Sequence, residues 1–240
     1  MHPKSLSTIL LFLSLIGNSF SIDAAEPAPE IDSDTALTEM RAARKGGAQK
    51  KRRVLYNDDG NDARPYKTVD ELLSLRVKQV ANAQVDTIFY CTGGGGLFWG
   101  HQPKVGEVLG EFVEGSGSPS DGDVAMRDGL VALKELGTDP LAAVIDFGHK
   151  NNMEVIWSYR MNNPEDSFAD WGLSRRKREH PSYLMGKKSD WDANNLTEPK
   201  VWWALEDYSQ PEVRDYIVKI FEDVCQRYDI DGIELDFIRH

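Results

Sequence analysis

Four short apolar runs alternate with amphipathic stretches of helical period between residues 54 and 238. The runs are VLY (54–56), VDTIFY (85–90), MEVIWSY (153–159) and IDGIELDFI (230–238). Each reads as a strand. Between the first two, Leu72, Leu73, Val77 and Val80 recur at helical spacing, behind a Thr68-x-x-Glu71 capping box. Helical patterning returns from Leu130 to Leu136. Asp139 followed by Pro140 reads as an N-cap with proline at the first helical position, and Leu141, Val144 and Ile145 give that helix its apolar face. Ser209 and Glu212 read as a second capping box around Pro211. The stripe Val213, Ile217, Ile220, Phe221 and Val224 follows.

The resulting order, β-α-β-α-β-α-β, predicts an α/β fold with a parallel sheet and helices packed outside it. The doubly wound sheet and the (β/α)8 barrel both satisfy it. The connections after the second and third strands are longer than a bare βα unit needs. One is the Gly-rich stretch from Cys91 to Gly122, and the other contains SRRKREHPSYLMGKK. Long loops after the carboxyl ends of strands are where both folds place their sites.

Charge and composition narrow the function classes. A net charge of −11 argues against a general affinity for nucleic acid or anionic membrane. Lys4, the apolar run ILLFLSLIG and the polar residues after it have the order of a secretory signal over residues 1–25. The run is too short to span a bilayer, so the expectation is an exported protein, secreted or periplasmic, without stable membrane insertion after cleavage. Residues 26–51, first acidic and Pro-rich, then basic with a Gly pair, read as a flexible linker. Order is expected over 52–240. Cys91 and Cys225 make no disulfide framework and read as buried free thiols.

Candidate chemistry gathers at the strand ends. The first strand runs into Asn57, Asp58 and Asp59, whose spacing does not match an EF-hand loop. The second runs into Gly93 to Gly96. No Gly-Lys-Ser/Thr follows and no helix starts directly after them, so the glycines serve to let backbone pass close to a ligand or another loop. Trp99 and His101 stand on that loop, where a Trp face either stacks on a sugar or anchors the loop. The third strand ends in Arg160, Asn162 and Asn163. A buried arginine there needs a carboxylate partner, and the acids of strands one and four are the candidates. Along the fourth strand, alternation puts Glu234, Asp236 and Ile238 on one face and Ile233, Leu235 and Phe237 on the other. The apolar set belongs against helices. Glu234 and Asp236 then point inward, with Arg239 and His240 at the lip.

Four segments, YRMNN (159–163), HPSYLMG (180–186), DYSQPEVRDY (207–216) and DGIELDFIRH (231–240), resemble the glycosyl-hydrolase-like 10 family. The resemblance covers about residues 52–240. It implies a (β/α)8 TIM-barrel of glycosidase type that acts on poly- or oligosaccharide without a cofactor. The last stretch is also similar to the α-amylase pattern G-x-R-x-D-x-x-x-H. Gly232, Asp236 and His240 match it, and Glu234 stands where that pattern has arginine. With only four strands, the chain resembles the first four βα units of such a barrel, a half barrel, and the expectation is a truncated form whose second catalytic carboxylate lies elsewhere.

The expected function is therefore glycoside hydrolysis by carboxylate acid/base catalysis. Asp236 and Glu234 are the catalytic candidates. Asp58, Asp59, Trp99, His101, Arg160, Asn162, Asn163, Arg239 and His240 are the substrate-binding candidates, with no metal. Two alternatives stand beside it. One is a non-catalytic carbohydrate-binding protein that uses Trp99, Trp171 and Trp191. The other is a half barrel that closes as a homodimer through the open edges of strands one and four.

Overall fold

The computed structural model describes residues 33–60, 65–110, 120–168 and 172–237. The expected signal segment, Trp171, Arg239 and His240 fall outside these. The chain divides into two units, Met1–Lys50 and Lys51–His240. In the first, α1 (Ser33–Gln49) is helical. The stretch expected as a linker is thus helical over Ser33–Gln49. Its central run ALTEMRAARK consists mostly of strong helix formers, which outweigh the later Gly46 and Gly47.

The second unit runs β1 (Leu55–Asp58), α2 (Val69–Leu75), β2 (Thr87–Gly94), β3 (Phe98–Trp99), β4 (Glu107–Val108), α3 (Asp121–Glu135), α4 (Pro140–Lys150), β5 (Glu154–Arg160), α5 (Arg175–Glu179), α6 (Pro211–Arg227) and β6 (Gly232–Asp236). Strands β1, β2, β5 and β6 are parallel and lie side by side in chain order. The short β3 pairs antiparallel with the end of β2, and β4 parallel with β3. The architecture is thus α/β with a mixed sheet. These two short strands lie in the Gly-rich stretch whose sequence reads as a loop.

Register sorts the side chains onto two faces, because paired residues of parallel neighbours point the same way. Tyr56, Ile88, Val155 and Trp157 belong to one face. With Tyr90 and Tyr159 they meet Leu73 of α2, Val144 and Ile145 of α4, and Ile217, Ile220 and Val224 of α6 in one core. The other face carries Asn57, Cys91, Ser158, Arg160, Glu234 and Asp236. Ile233 packs against the core as expected. Leu235 and Phe237, expected there too, are 47% and 58% exposed. Among the described residues β6 pairs with β5 alone.

The helix starts follow local chemistry. The Thr68–Glu71 capping box forms, and Asp139 caps α4 through Ala142 N at 3.0 Å. α3 begins well before Leu130, at a Ser120–Asp123 capping box. Ser209 does not cap α6. Pro211 occupies the first helical turn, Gln210 is the N-cap, and the Ser209 backbone N–H donates to Asp207 instead.

At the amino ends of the strands, Arg52 donates to both Glu154 oxygens at 2.6 and 2.9 Å, and Thr87 Oγ1 donates to one of them. At the carboxyl ends, the described residues of the long 161–210 connection form a wall. Leu173, Leu184, Trp203 and Ala204 give it a core of its own. The buried Lys177 ammonium donates to Asp166 Oδ2 at 2.6 Å and to the Ala204 carbonyl at 2.8 Å.

Candidate active site

The carboxyl ends of the four parallel strands bring Asn57, Asp59, Cys91, Ser158, Arg160, Glu234 and Asp236 around one open cleft of about 300 Å³. Register explains the grouping. Cys91 pairs with Ser158, Ser158 with Glu234, and Arg160 with Asp236. Ser158 Oγ donates to Glu234 Oε2 at 2.6 Å. Arg160 Nη2 donates to Asp59 Oδ1 at 2.5 Å. Burial works against the Arg160 charge, but Cys91, Asp59 and Asp236 outweigh it and raise the pKa of the guanidinium. The arginine is thus a fixed cation among acids from β1 and β6, the partners its position called for.

A second cavity, of about 210 Å³, shares Asp59, Cys91 and Arg160 with the cleft and adds Gly93 to Gly96, Asn163, Glu165 and Asp166. Backbone crowding requires glycine at Gly94 and Gly95. A Cβ on Gly94 would stand 2.2 Å from the Arg160 carbonyl oxygen, and one on Gly95 would stand 2.3 Å from Asn162 Cα. The Gly95 N–H bonds that same carbonyl at 2.7 Å. Asn163 Nδ2 donates to Asp166 Oδ1 at 2.8 Å. Burial raises the Asp166 pKa against the pull of Lys177.

Four sequence candidates lie away from this polar face. Trp99 is fully buried against Trp157, Tyr159 and His101. His101 is also buried. Trp157 Nε1 donates to Thr92 Oγ1 at 2.9 Å, and Thr92 Oγ1 shares a second hydrogen bond with His101 Nδ1 at 2.7 Å. Burial lowers the imidazole pKa to about 4, so His101 is a neutral core group. Asn162 clamps Glu206, accepting from its N–H at 2.9 Å and donating to its carbonyl at 3.3 Å. Asp58 faces the helices, where it accepts from Gly60 N and pairs with Arg76 at 3.6 Å. The expectation that Trp99 and His101 present themselves to substrate is corrected: β3 turns back onto β2 and carries Trp99 into the core.

Sequence reasoning passed over Cys91, Ser158 and Asp166. Ser158 had a readable signal, since it precedes Arg160 by two residues and shares its face. Cys91 and Cys225 both read as buried free thiols; Cys91 is buried, with burial pushing its thiol up against the pull of Arg160, whereas Cys225 is exposed on α6. The place of Cys91 on the cleft follows only from the register with Ser158.

An α/β unit with its polar side chains gathered at the carboxyl ends of parallel strands has the layout of a strand-end enzyme site. Residues 123–238 match the model of the family described as glycosyl hydrolase-like 10. It is 36% identical over 108 residues to a glycosyl hydrolase, YngK, of Bacillus subtilis (strain 168), covering 43% of this chain and 18% of that protein. The chain thus spans less than a fifth of the length of this curated relative. Among solved structures it is similar to a noncanonic maltogenic alpha-amylase, AmyB, of Thermotoga neapolitana. That likeness has 15% identity and a TM-score of 0.39, over 75% of this chain and 38% of that one. It is also similar to alpha-L-fucosidase isoenzyme 2 of Paenibacillus thiaminolyticus, with 13% identity and a TM-score of 0.43, over 78% of this chain and 24% of that one.

Proposed function

We propose that this chain carries the strand-end site of a glycoside hydrolase acting on poly- or oligosaccharide, within the first four units of a (β/α)8 barrel. One observation carries the reading: Arg160 is flanked by carboxylates of β1 and β6 on the polar face of a parallel sheet, above an open cleft. The match to the glycosyl hydrolase-like 10 model over 123–238 supports it. The chain-order sequence of four parallel strands supports the barrel.

In this reading Asp236 is the reacting carboxylate, either as acid/base on the glycosidic oxygen or as nucleophile at the anomeric carbon. Glu234, held by Ser158, orients the sugar hydroxyls with Asp59. Arg160 fixes the acids and offers donors to the substrate. Asn163 and the glycine backbone border the adjoining cavity. The test is release of reducing ends from a panel of soluble oligosaccharides by the wild type and by Asp236→Asn at matched folding. Removing an acid/base group is expected to lower the rate by about 10²–10⁴. An Asp236→Asn protein as active as the wild type overturns the role.

A further inference from the structure

Phe168, Trp191 and Trp202 meet on the 161–210 wall. Ring centroids stand 5.0 Å apart for Phe168–Trp191, 5.6 Å for Phe168–Trp202 and 6.0 Å for Trp191–Trp202. The rings are inclined to one another by 58–66°, so none covers another's face squarely. Trp191 leans on the small core of the wall and Trp202 Nε1 donates to the Leu196 carbonyl at 3.0 Å, yet Phe168 remains 54% exposed. An inclined aromatic trio with one ring open to solvent is an exposed apolar patch of the kind that marks a binding surface.

Its position says what it binds. Phe168 follows Glu165 and Asp166, which line the 210 Å³ cavity beside Arg160. Ser167, between them, fixes the relation. Its Oγ accepts from Ala204 N at 3.1 Å and its carbonyl accepts from Trp203 Nε1 at 3.3 Å. Trp202 and Phe168 are therefore tied to the cavity wall through adjacent residues. The Lys177–Asp166 pair holds that wall from beneath. A cavity of 210 Å³ is smaller than the roughly 300–1,000 Å³ of a site for a drug-sized ligand. It seats little more than one sugar ring, so a longer chain continues from it into the adjoining 300 Å³ cleft at one end and over the rim at the other. Pyranose rings have apolar C–H faces that bury well against aromatic rings.

We infer that Phe168, Trp191 and Trp202 form a stacking platform for the next rings of a glycan whose end or turn occupies the strand-end cavity. The site then selects substrates of several sugar units over disaccharides. This deepens the glycosidase reading and rests on it only in taking a sugar as ligand.

The test measures binding by calorimetry in the full chain. Soluble disaccharides and hexasaccharides of β-1,4-glucose, α-1,4-glucose and β-1,4-N-acetylglucosamine are compared on wild type, Phe168→Ala and Trp202→Ala. Asp236→Asn serves as the background if the sugar is consumed. The expected result is a hexasaccharide bound more tightly than its disaccharide. Either platform variant should lose about tenfold in hexasaccharide affinity, with disaccharide binding and thermal midpoint kept. Phe168 is exposed, so its variant is a fair test even if Trp202→Ala proves less stable. Equal affinities across chain length, unchanged affinities in Phe168→Ala, or no binding of any hexasaccharide would overturn the platform. Binding with the expected losses but no reducing-end release leaves the platform standing and removes the hydrolase reading. Release without any length preference does the reverse.

Discussion

Protonating His101 should unfold this protein progressively, and the size of the effect follows from where the ring sits. The imidazole is buried beside Trp99, Trp157 and Tyr228, with Nδ1 hydrogen-bonded to the Thr92 hydroxyl. Burial is the main cause that lowers its pKa from 6.5 to about 4, and Arg227 adds to it, while Asp139 and Asp223 pull the other way. The unfolded chain therefore takes up the proton first as pH falls. Stability from this group is complete above 6.5, declines through the window and levels off below about 4. Going from about pH 7.5 to about pH 4.5 crosses some two units of that window, or about 2.5 kcal/mol. Asp166 and Glu206 have raised pKa values, so their contribution grows as pH falls and partly offsets the loss. The difference between wild type and His101→Gln isolates the imidazole. Urea unfolding of both at the two pH values is the assay. The wild type should lose about 2.5 kcal/mol more than His101→Gln over that range. Parallel pH dependences would refute the buried, neutral assignment of His101.

Lys177→Met leaves Asp166 buried without its cation, and should destabilise the protein by about 3–5 kcal/mol. The loss should be read first as hydrogen exchange across 161–210, before global unfolding. Gly95→Ala drives a Cβ into the Asn162 backbone. The β2 and β5 ends must then separate, with a cost of about 1–3 kcal/mol and weakened binding at the cleft, measured by thermal melting and sugar titration.

The parallel strands and most of the helices around them were legible because each carries its own period. Alternation alone assigned Glu234 and Asp236 to the face opposite Ile233, and the register with Ser158 and Arg160 agrees. The need of Arg160 for an acid likewise pointed to Asp59. What escaped depends on contacts distant in sequence. Trp99 reads the same on a loop as in a core; only the pairing of Gly93 with Trp99 decides between them. The glycines at 93–96 suggested close approach, but not that the partner is the backbone of Arg160 and Asn162. Leu235 alternates like a core residue but is exposed, with β5 the only strand beside it among the described residues. Phe168 and Trp202 stand 34 residues apart in an irregular segment, where no period could join them.

The central claim is that the carboxyl ends of β1, β2, β5 and β6 form one saccharide site. Hydrogen–deuterium exchange of the full chain, with and without each hexasaccharide, tests it most directly. The account predicts protection at 57–59, 91–96, 158–163 and 232–236, and none around Arg52, Thr87 and Glu154 at the opposite end of the same strands. Protection confined to that opposite end, or none with any of the sugars, would contradict it.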